Sequence, residues 1–258
     1  MRNIQQEIQE KLDEIERTEH VKILHCVESG SRSWGFPSPD SDYDVRFIYL
    51  RERDAYLNLA PPRDVIEWQL DEVLDISGWD VQKLLRLLYK SNPTVFEWNS
   101  SPIIYRTAPE WQRISEVIPK YFRVKSGLHH YLSMASGNAR AYLQGDAVKL
   151  KKYFYVLRPI LACRWILDRQ TPPPMLFSEL MQAELEPEIR PVVDDLLARK
   201  SQTSELGAEP PIAPLHAYID RQLAELKEIA EQTPDRPHPD WDALNKVFLS
   251  LFSGIAPQ

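Results

Sequence analysis

Between Val21 and Leu50 the chain carries a pattern that few folds can accommodate. Val21-Lys22-Ile23-Leu24-His25-Cys26-Val27 is short, β-branched and apolar, which is the composition of a strand. Ser29-Gly30-Ser31 ends it with residues that turn tightly and can start a short helix, where a phosphate would find free backbone amides. Phe36-Pro37-Ser38-Pro39-Asp40 is irregular because two prolines interrupt it, and Tyr43 to Leu50 then resumes as a strand. Side chains alternate along a strand. Asp42 and Asp44, with Arg46 next along, therefore share one face, and Tyr43, Val45 and Phe47 take the other. Two carboxylates aimed at one point call for a cation, and oxygen-only donors suit Mg²⁺ or Mn²⁺, which draw their remaining ligands from water and substrate phosphates.

Around this unit the periodicity changes from two to three and four. Ile4 to Thr18 places apolar residues at 4, 8, 12 and 15 and predicts an amphipathic helix. Asp64 to Leu70 and Glu72 to Ile76 read as strand segments separated near Asp71. Ser77-Gly78-Trp79-Asp80 breaks the pattern, and Asp80 caps a leucine helix from Val81 to Lys90. Ser91 to Pro102 is turn-bounded and aromatic. Past Pro109 the texture is helical: Glu110–Val117, Tyr121–Leu143, Val148–Asp168, Phe177–Ala183, Glu188–Lys200, Pro214–Gln232 and Trp241–Phe252. The best candidate for a mobile loop is 202–211, which is small and polar. These shifts divide the 258 residues into 1–110, which carries the strands, and 111–258, which is helical.

Composition narrows the setting. The two cysteines, Cys26 and Cys163, are too few for a disulfide framework or a cysteine-based zinc site. The N-terminus has no apolar core of a signal peptide, and no run approaches the ~20 apolar residues of a spanning helix, so the expected setting is the cytoplasm. The formal charge of -7 argues against a protein coated in nucleic acid, yet nine lysines or arginines and a single acid fall between Lys120 and Arg164. The basic character is local.

Gly30-Ser31, ten further residues, then Asp42-Tyr43-Asp44 opening a strand resembles the signature of the DNA polymerase β-like nucleotidyltransferases. The fuller wording, Glu28 to Gly35 followed by Ser41 to Tyr49, resembles the bacterial members associated with RNA ligases and RNA repair, and Ser91-Asn92-Pro93 with Glu97-Trp98 extends the likeness to about residue 102. The resemblance implies an α+β domain built on a mixed sheet, followed by an all-α domain that helps bind nucleotide and substrate. It implies that Gly30 and Ser31 contact a triphosphate, with Arg32 a further phosphate contact. Asp42 and Asp44 hold two divalent ions, and a third carboxylate on a neighbouring strand completes the set. Leu74-Asp75-Ile76 fits that description best, with Asp80 and Glu72 as rivals. Arg46 would touch substrate or neutralise the paired acids. For Glu97 a capping or salt-bridged role is the plainer reading.

Lys149, Lys151, Lys152, Tyr155 and Arg158 form a second constellation, since 151, 155 and 158 share a helical stripe and 149 and 152 lie beside it. Beside a metal–triphosphate site, Lys149, Lys152, Tyr155 and Arg158 read as a cradle for phosphates or a nucleic-acid backbone; a solvated basic helix face is the plainer alternative. The activity implied is transfer of a nucleoside monophosphate from a nucleoside triphosphate, ATP by expectation, to a hydroxyl on an RNA end or tRNA, with release of pyrophosphate. Adenylylation of a small molecule or of a toxin protein, and a fold-retaining protein that binds nucleotide or RNA without reaction, are the alternatives.

Overall fold

A computed structural model describes residues 3–39, 41–69, 73–202, 207–237 and 239–252. Helix α1 (Ile4–Glu19) starts on Asn3, whose side chain accepts the Gln6 amide at 3.2 Å, and ends on His20 in the left-handed conformation. Strand β1 (Val21–Ser29) runs into the single-turn α2 (Gly30–Ser33), and β2 (Tyr43–Arg51) returns antiparallel to it. A 3₁₀ turn (Arg53–Leu57), β3 (Val65–Gln69) and β4 (Leu74–Asp80) follow, then α3 (Val81–Tyr89), α4 (Pro93–Asn99) and β5 (Ile104–Thr107). The five strands form one mixed sheet in the order β3-β4-β2-β1-β5, in which β2 and β4 are parallel and the other pairs antiparallel.

The two faces of the sheet bury different partners. Val45, Phe47, Tyr49, Leu74 and Ile76 pack against Ile8, Leu12 and Ile15 of α1. Ile48 and Leu50 face the opposite layer, made by α3, α4, α5 (Trp111–Ser115), a 3₁₀ turn at Ile118–Tyr121, and the C-terminal helix. In β1 a bulge between Ile23 and His25 shifts the alternation, so that Ile23 and Cys26 face α1 while Leu24 and Val27 face the other layer.

Among the described residues, the remaining elements are helices apart from a two-residue ladder. They comprise α6 (Val124–Tyr142), β6 (Val148–Lys149), α7 (Lys151–Arg169), α8 (Phe177–Glu184), α9 (Arg190–Gln202), β7 (Ala208–Glu209), α10 (Ala213–Gln232) and α11 (Asp242–Ser250). Helices α6, α7, α8 and α10 enclose their own core around Phe154, Leu157, Leu161 and Phe177. Helix α11 returns to the sheet half, where Leu244 and Leu251 join the layer of α3 and α4. The fold is thus the expected α+β sheet followed by a largely helical region.

Several local expectations change. Ser77-Gly78-Trp79-Asp80 is strand and not a break, because the parallel ladder with β2 continues to the Tyr49–Asp80 pair. Gly78 is required there by the Phe47 ring, since a Cβ on residue 78 would lie only 2.2 Å from it. The aromatic segment after Ser91 contains α4, started by Asn92 accepting the Thr94 amide and by Pro93 in the first turn. β5 escapes notice in the sequence because it is a four-residue edge strand, and its pairing with β1 is what defines it. Glu72 and Asp71 lie outside the described residues, as do 203–206 of the loop expected at 202–211; Gln202 instead ends α9, and Ala208–Glu209 pair as β7 with Val148–Lys149, which were expected in a helix and form β6. Among the described residues no helix is long and apolar enough to cross a membrane.

Candidate functional site

The site is assembled where β1 ends and β2 and β4 begin. Gly30 has φ +64°, and a Cβ on it would lie 2.2 Å from Asp44 Oδ2, so both backbone geometry and the approach of the carboxylate demand glycine. The turn beyond it is tied to the acid-bearing segment by side chains. Ser31 Oγ bonds Ser41 Oγ at 3.1 Å, and Ser41 Oγ also accepts the Ser38 amide at 2.8 Å. Arg32 donates to the Ser41 carbonyl at 2.6 Å and the Asp42 carbonyl at 3.0 Å, and its guanidinium lies 3.7 Å from the centre of the Tyr43 ring. Arg32 therefore holds the loop that presents Asp42.

Register does the rest. In the parallel ladder Asp44 pairs with Asp75 and Arg46 with Ser77, placing Asp44, Arg46 and Asp75 together at one end of the sheet. Arg46 Nη2 donates to Asp75 Oδ2 at 2.7 Å and to Asp44 Oδ1 at 3.2 Å. Burial raises the Asp44 pKa; the nearby Arg46 opposes this, and Asp75 and Asp42 add to it. Of the rivals for the third carboxylate, Asp80 is at the far end of β4, buried, accepting the Gln82 amide at 2.7 Å as the cap of α3 and the Tyr56 hydroxyl at 2.9 Å. Only Asp75 among the described rivals stands beside Asp44.

Behind the pair lies Glu28, fully buried, accepting the Asp44 amide at 2.7 Å on one oxygen and the Tyr105 hydroxyl on the other. Burial pushes its pKa up to about 7 against the pull of those two donors. The sequence does not single out Glu28 as a site residue, although a carboxylate in a mostly apolar strand, two residues before an obligatory glycine, is the signal that could have found it.

The basic constellation divides in two and is not all on one helix, since Lys149 lies in β6 and α7 begins only at Lys151. Lys149 and Lys151 are exposed, and Lys152 lies 3.9 Å from the centre of the Tyr142 ring and 4.7 Å from that of Tyr155. Tyr155 packs edge-on against Trp34, and burial raises its pKa, with Asp44 and Asp42 adding to the rise. Arg158 departs from the expected stripe. It is only 2% exposed, pairs with Glu97 at 2.9 Å, donates to Met175 Sδ at 3.4 Å and lies under the Trp34 ring. Glu97 also accepts the Tyr131 hydroxyl at 2.9 Å, in keeping with a salt-bridged acid. The reason for the inward turn is the aromatic surface of Trp34 and Phe36, which reaches from the first half onto α7. Phe36 sits against Phe154 and Phe177 at 5.1 and 5.2 Å, and its carbonyl accepts Lys200 Nζ at 2.7 Å.

One further residue supports the α7 face. Pro159 lies inside α7 and cannot donate to the Tyr155 carbonyl one turn earlier; Asn138 of α6 fills that vacancy with its amide at 2.8 Å. Carboxylates on Asp42 and Asp44, with Asp42 exposed, are a donor set suited to a hard divalent ion.

Residues 4–250 match the model of the RlaP family, described as an RNA repair pathway DNA polymerase beta family. The chain is 43% identical over 254 residues to YcgL of Bacillus subtilis (strain 168), an uncharacterized protein, with 98% of each chain covered. It also aligns with the crystal structure of a nucleotidyltransferase-like protein from Exiguobacterium sibiricum 255-15, covering 97% of this chain and 80% of that one at 12% identity with a TM-score of 0.34. With its glycine turn, its acids in register and nearly its whole length matched, this chain belongs to the RlaP family of DNA polymerase β-type proteins of RNA repair.

Proposed function

We propose that the protein transfers a nucleoside monophosphate from a nucleoside triphosphate, with ATP as the donor, to a hydroxyl on an RNA end or tRNA. The observation that carries this reading is Asp44 set against the bare Cα of Gly30, with Asp75 in register beside it on the parallel strand. A divalent ion, Mg²⁺ or Mn²⁺, held by Asp42 and Asp44 would neutralise the triphosphate and polarise its α-phosphoryl group.

The chain's own residues supply the rest. Gly30 and Ser31 contact the phosphates, and Arg32 keeps Ser41 and Asp42 in place through two backbone carbonyls. Asp75 Oδ2 is engaged by Arg46, and Oδ1 accepts the proton of the attacking hydroxyl. As the acceptor oxygen bonds to the α-phosphorus, the bond from that phosphorus to the bridging oxygen breaks and pyrophosphate leaves. Lys149 and Lys152 attract the polyanionic donor and acceptor, and Tyr155 offers a ring on which a base can stack. Arg158 acts at one remove, supporting Trp34 from beneath.

The test is to incubate the protein with each α-labelled nucleoside triphosphate, Mg²⁺ or Mn²⁺, and pools of RNA, protein and metabolites. Label is expected in RNA, and Asp42→Ala and Asp44→Ala are each expected to abolish it. Label in protein or in small molecules would reassign the acceptor, and transfer that survives in either variant would remove the mechanism.

A further inference from the structure

Arg46 lies between the carboxylates of Asp44 and Asp75, bonded to both. Besides its bonds to the two carboxylates, its Nη1 donates to the backbone carbonyls of Val45 at 3.0 Å and Asp75 at 3.1 Å. Those two bonds are made to main chain. They do not involve either carboxylate, and the side chain is only 18% exposed. Asp44 is thereby split between two neighbours, with Oδ1 toward Arg46 and Oδ2 against the bare Cα of Gly30. Among the described residues no three His, Cys, Asp or Glu side chains converge as a cage for a metal ion. A positive charge anchored at that point repels any ion that would bridge Asp44 to Asp75.

We propose that Arg46 is a fixed cation that keeps Asp75 out of metal coordination, so that Asp42 and Asp44 bind a single ion and Asp75 is oriented as a proton acceptor. The ion-binding half stands on geometry alone, and the proton-acceptor half rests on the nucleotidyl-transfer reading. Arg46 is in these terms a positioning residue.

The experiment is titration of the nucleotide-free chain with Mn²⁺, followed by electron paramagnetic resonance and by the shift in Tm that the ion produces. Wild type is expected to bind a single Mn²⁺, weakened about tenfold or more by Asp42→Asn or Asp44→Asn and unchanged by Asp75→Asn. Arg46→Met, which keeps the stem and removes the charge, is expected to gain a second ion that Arg46→Met/Asp75→Asn loses again. Mn²⁺ binding that Asp75→Asn weakens in the wild-type background, a second ion already present in wild type, no second ion in a folded Arg46→Met, or no Asp42-dependent ion at all would each overturn the proposal. The Asp75→Asn comparison keeps the test decisive if Arg46→Met does not fold. Label transfer by the same wild-type preparation keeps the two readings apart. Transfer together with Asp75-dependent ion binding overturns the role of Arg46 alone, whereas loss of transfer bears on the enzymatic reading.

Discussion

At the scale of single residues, the charge state of Glu28 bears directly on the site, because its buried carboxylate accepts the Asp44 amide. Its pKa is near 4.5 in the unfolded chain and about 7 in the folded one, so the folded state binds the extra proton between those values. Stability contributed by Glu28 is therefore full below pH ~4.5, declines as pH rises to about 7, and stays reduced above it. Glu28→Gln can still accept the Asp44 amide and meet the Tyr105 hydroxyl, so it is expected to flatten that decline. Urea unfolding should show the variant more stable than wild type by about 1–3 kcal/mol at pH 8 and equal to it near pH 4.5. A pH dependence identical to wild type would show that Glu28 is not the titrating group.

At the scale of elements, α6 supplies the hydrogen bond that Pro159 denies to α7. Removing the Asn138 amide leaves the Tyr155 carbonyl without its partner at the point where Pro159 offers none. Asn138→Ala is expected to cost about 1–3 kcal/mol in chemical denaturation. If Tyr155 contributes to nucleotide binding as proposed, the same variant raises KM for the triphosphate more than it lowers kcat, and steady-state kinetics separate the two. The α7 face also shows why stripe arithmetic misplaces Arg158. Positions 151, 155 and 158 do share a side of the helix, but Trp34 and Glu97 arrive from the other half of the chain and cover the last of them.

At the scale of the whole molecule, the acidic chain keeps exposed lysines at Lys149 and Lys151, and its halves are joined by contacts between residues far apart in sequence. Phe36 is inserted against Phe154 and Phe177, Glu97 pairs with Arg158, and α11 closes back onto the sheet layer. Breaking the buried pair with Glu97→Ala strands a guanidinium that is 2% exposed, and a loss of about 3–5 kcal/mol is expected by denaturation. If the acceptor is RNA, log–log plots of its binding against salt should be steep. Lys149→Gln/Lys152→Gln should reduce the slope by about 1–2 without altering the fold, as filter binding over a salt series and circular dichroism would show. A slope unchanged in that double variant would place the RNA elsewhere.

Much of this architecture was legible in order along the chain. Periodicity alone delimits α1, α3 and the helices from α6 to α11 to within a few residues, and the strand, glycine turn and paired acids from Val21 to Leu50 are written locally. What a chain encodes within a few neighbouring residues, such as amphipathic spacing, caps and positive-φ turns, needs no knowledge of the rest. Tertiary structure alone decided the register that sets Asp75 beside Asp44, the seating of Arg46 between them, the pairing of β5, and the burial of Glu28 and Arg158. Each of these depends on atoms brought together from distant parts of the chain, where strand pairing and desolvation, and not local preference, choose the neighbour.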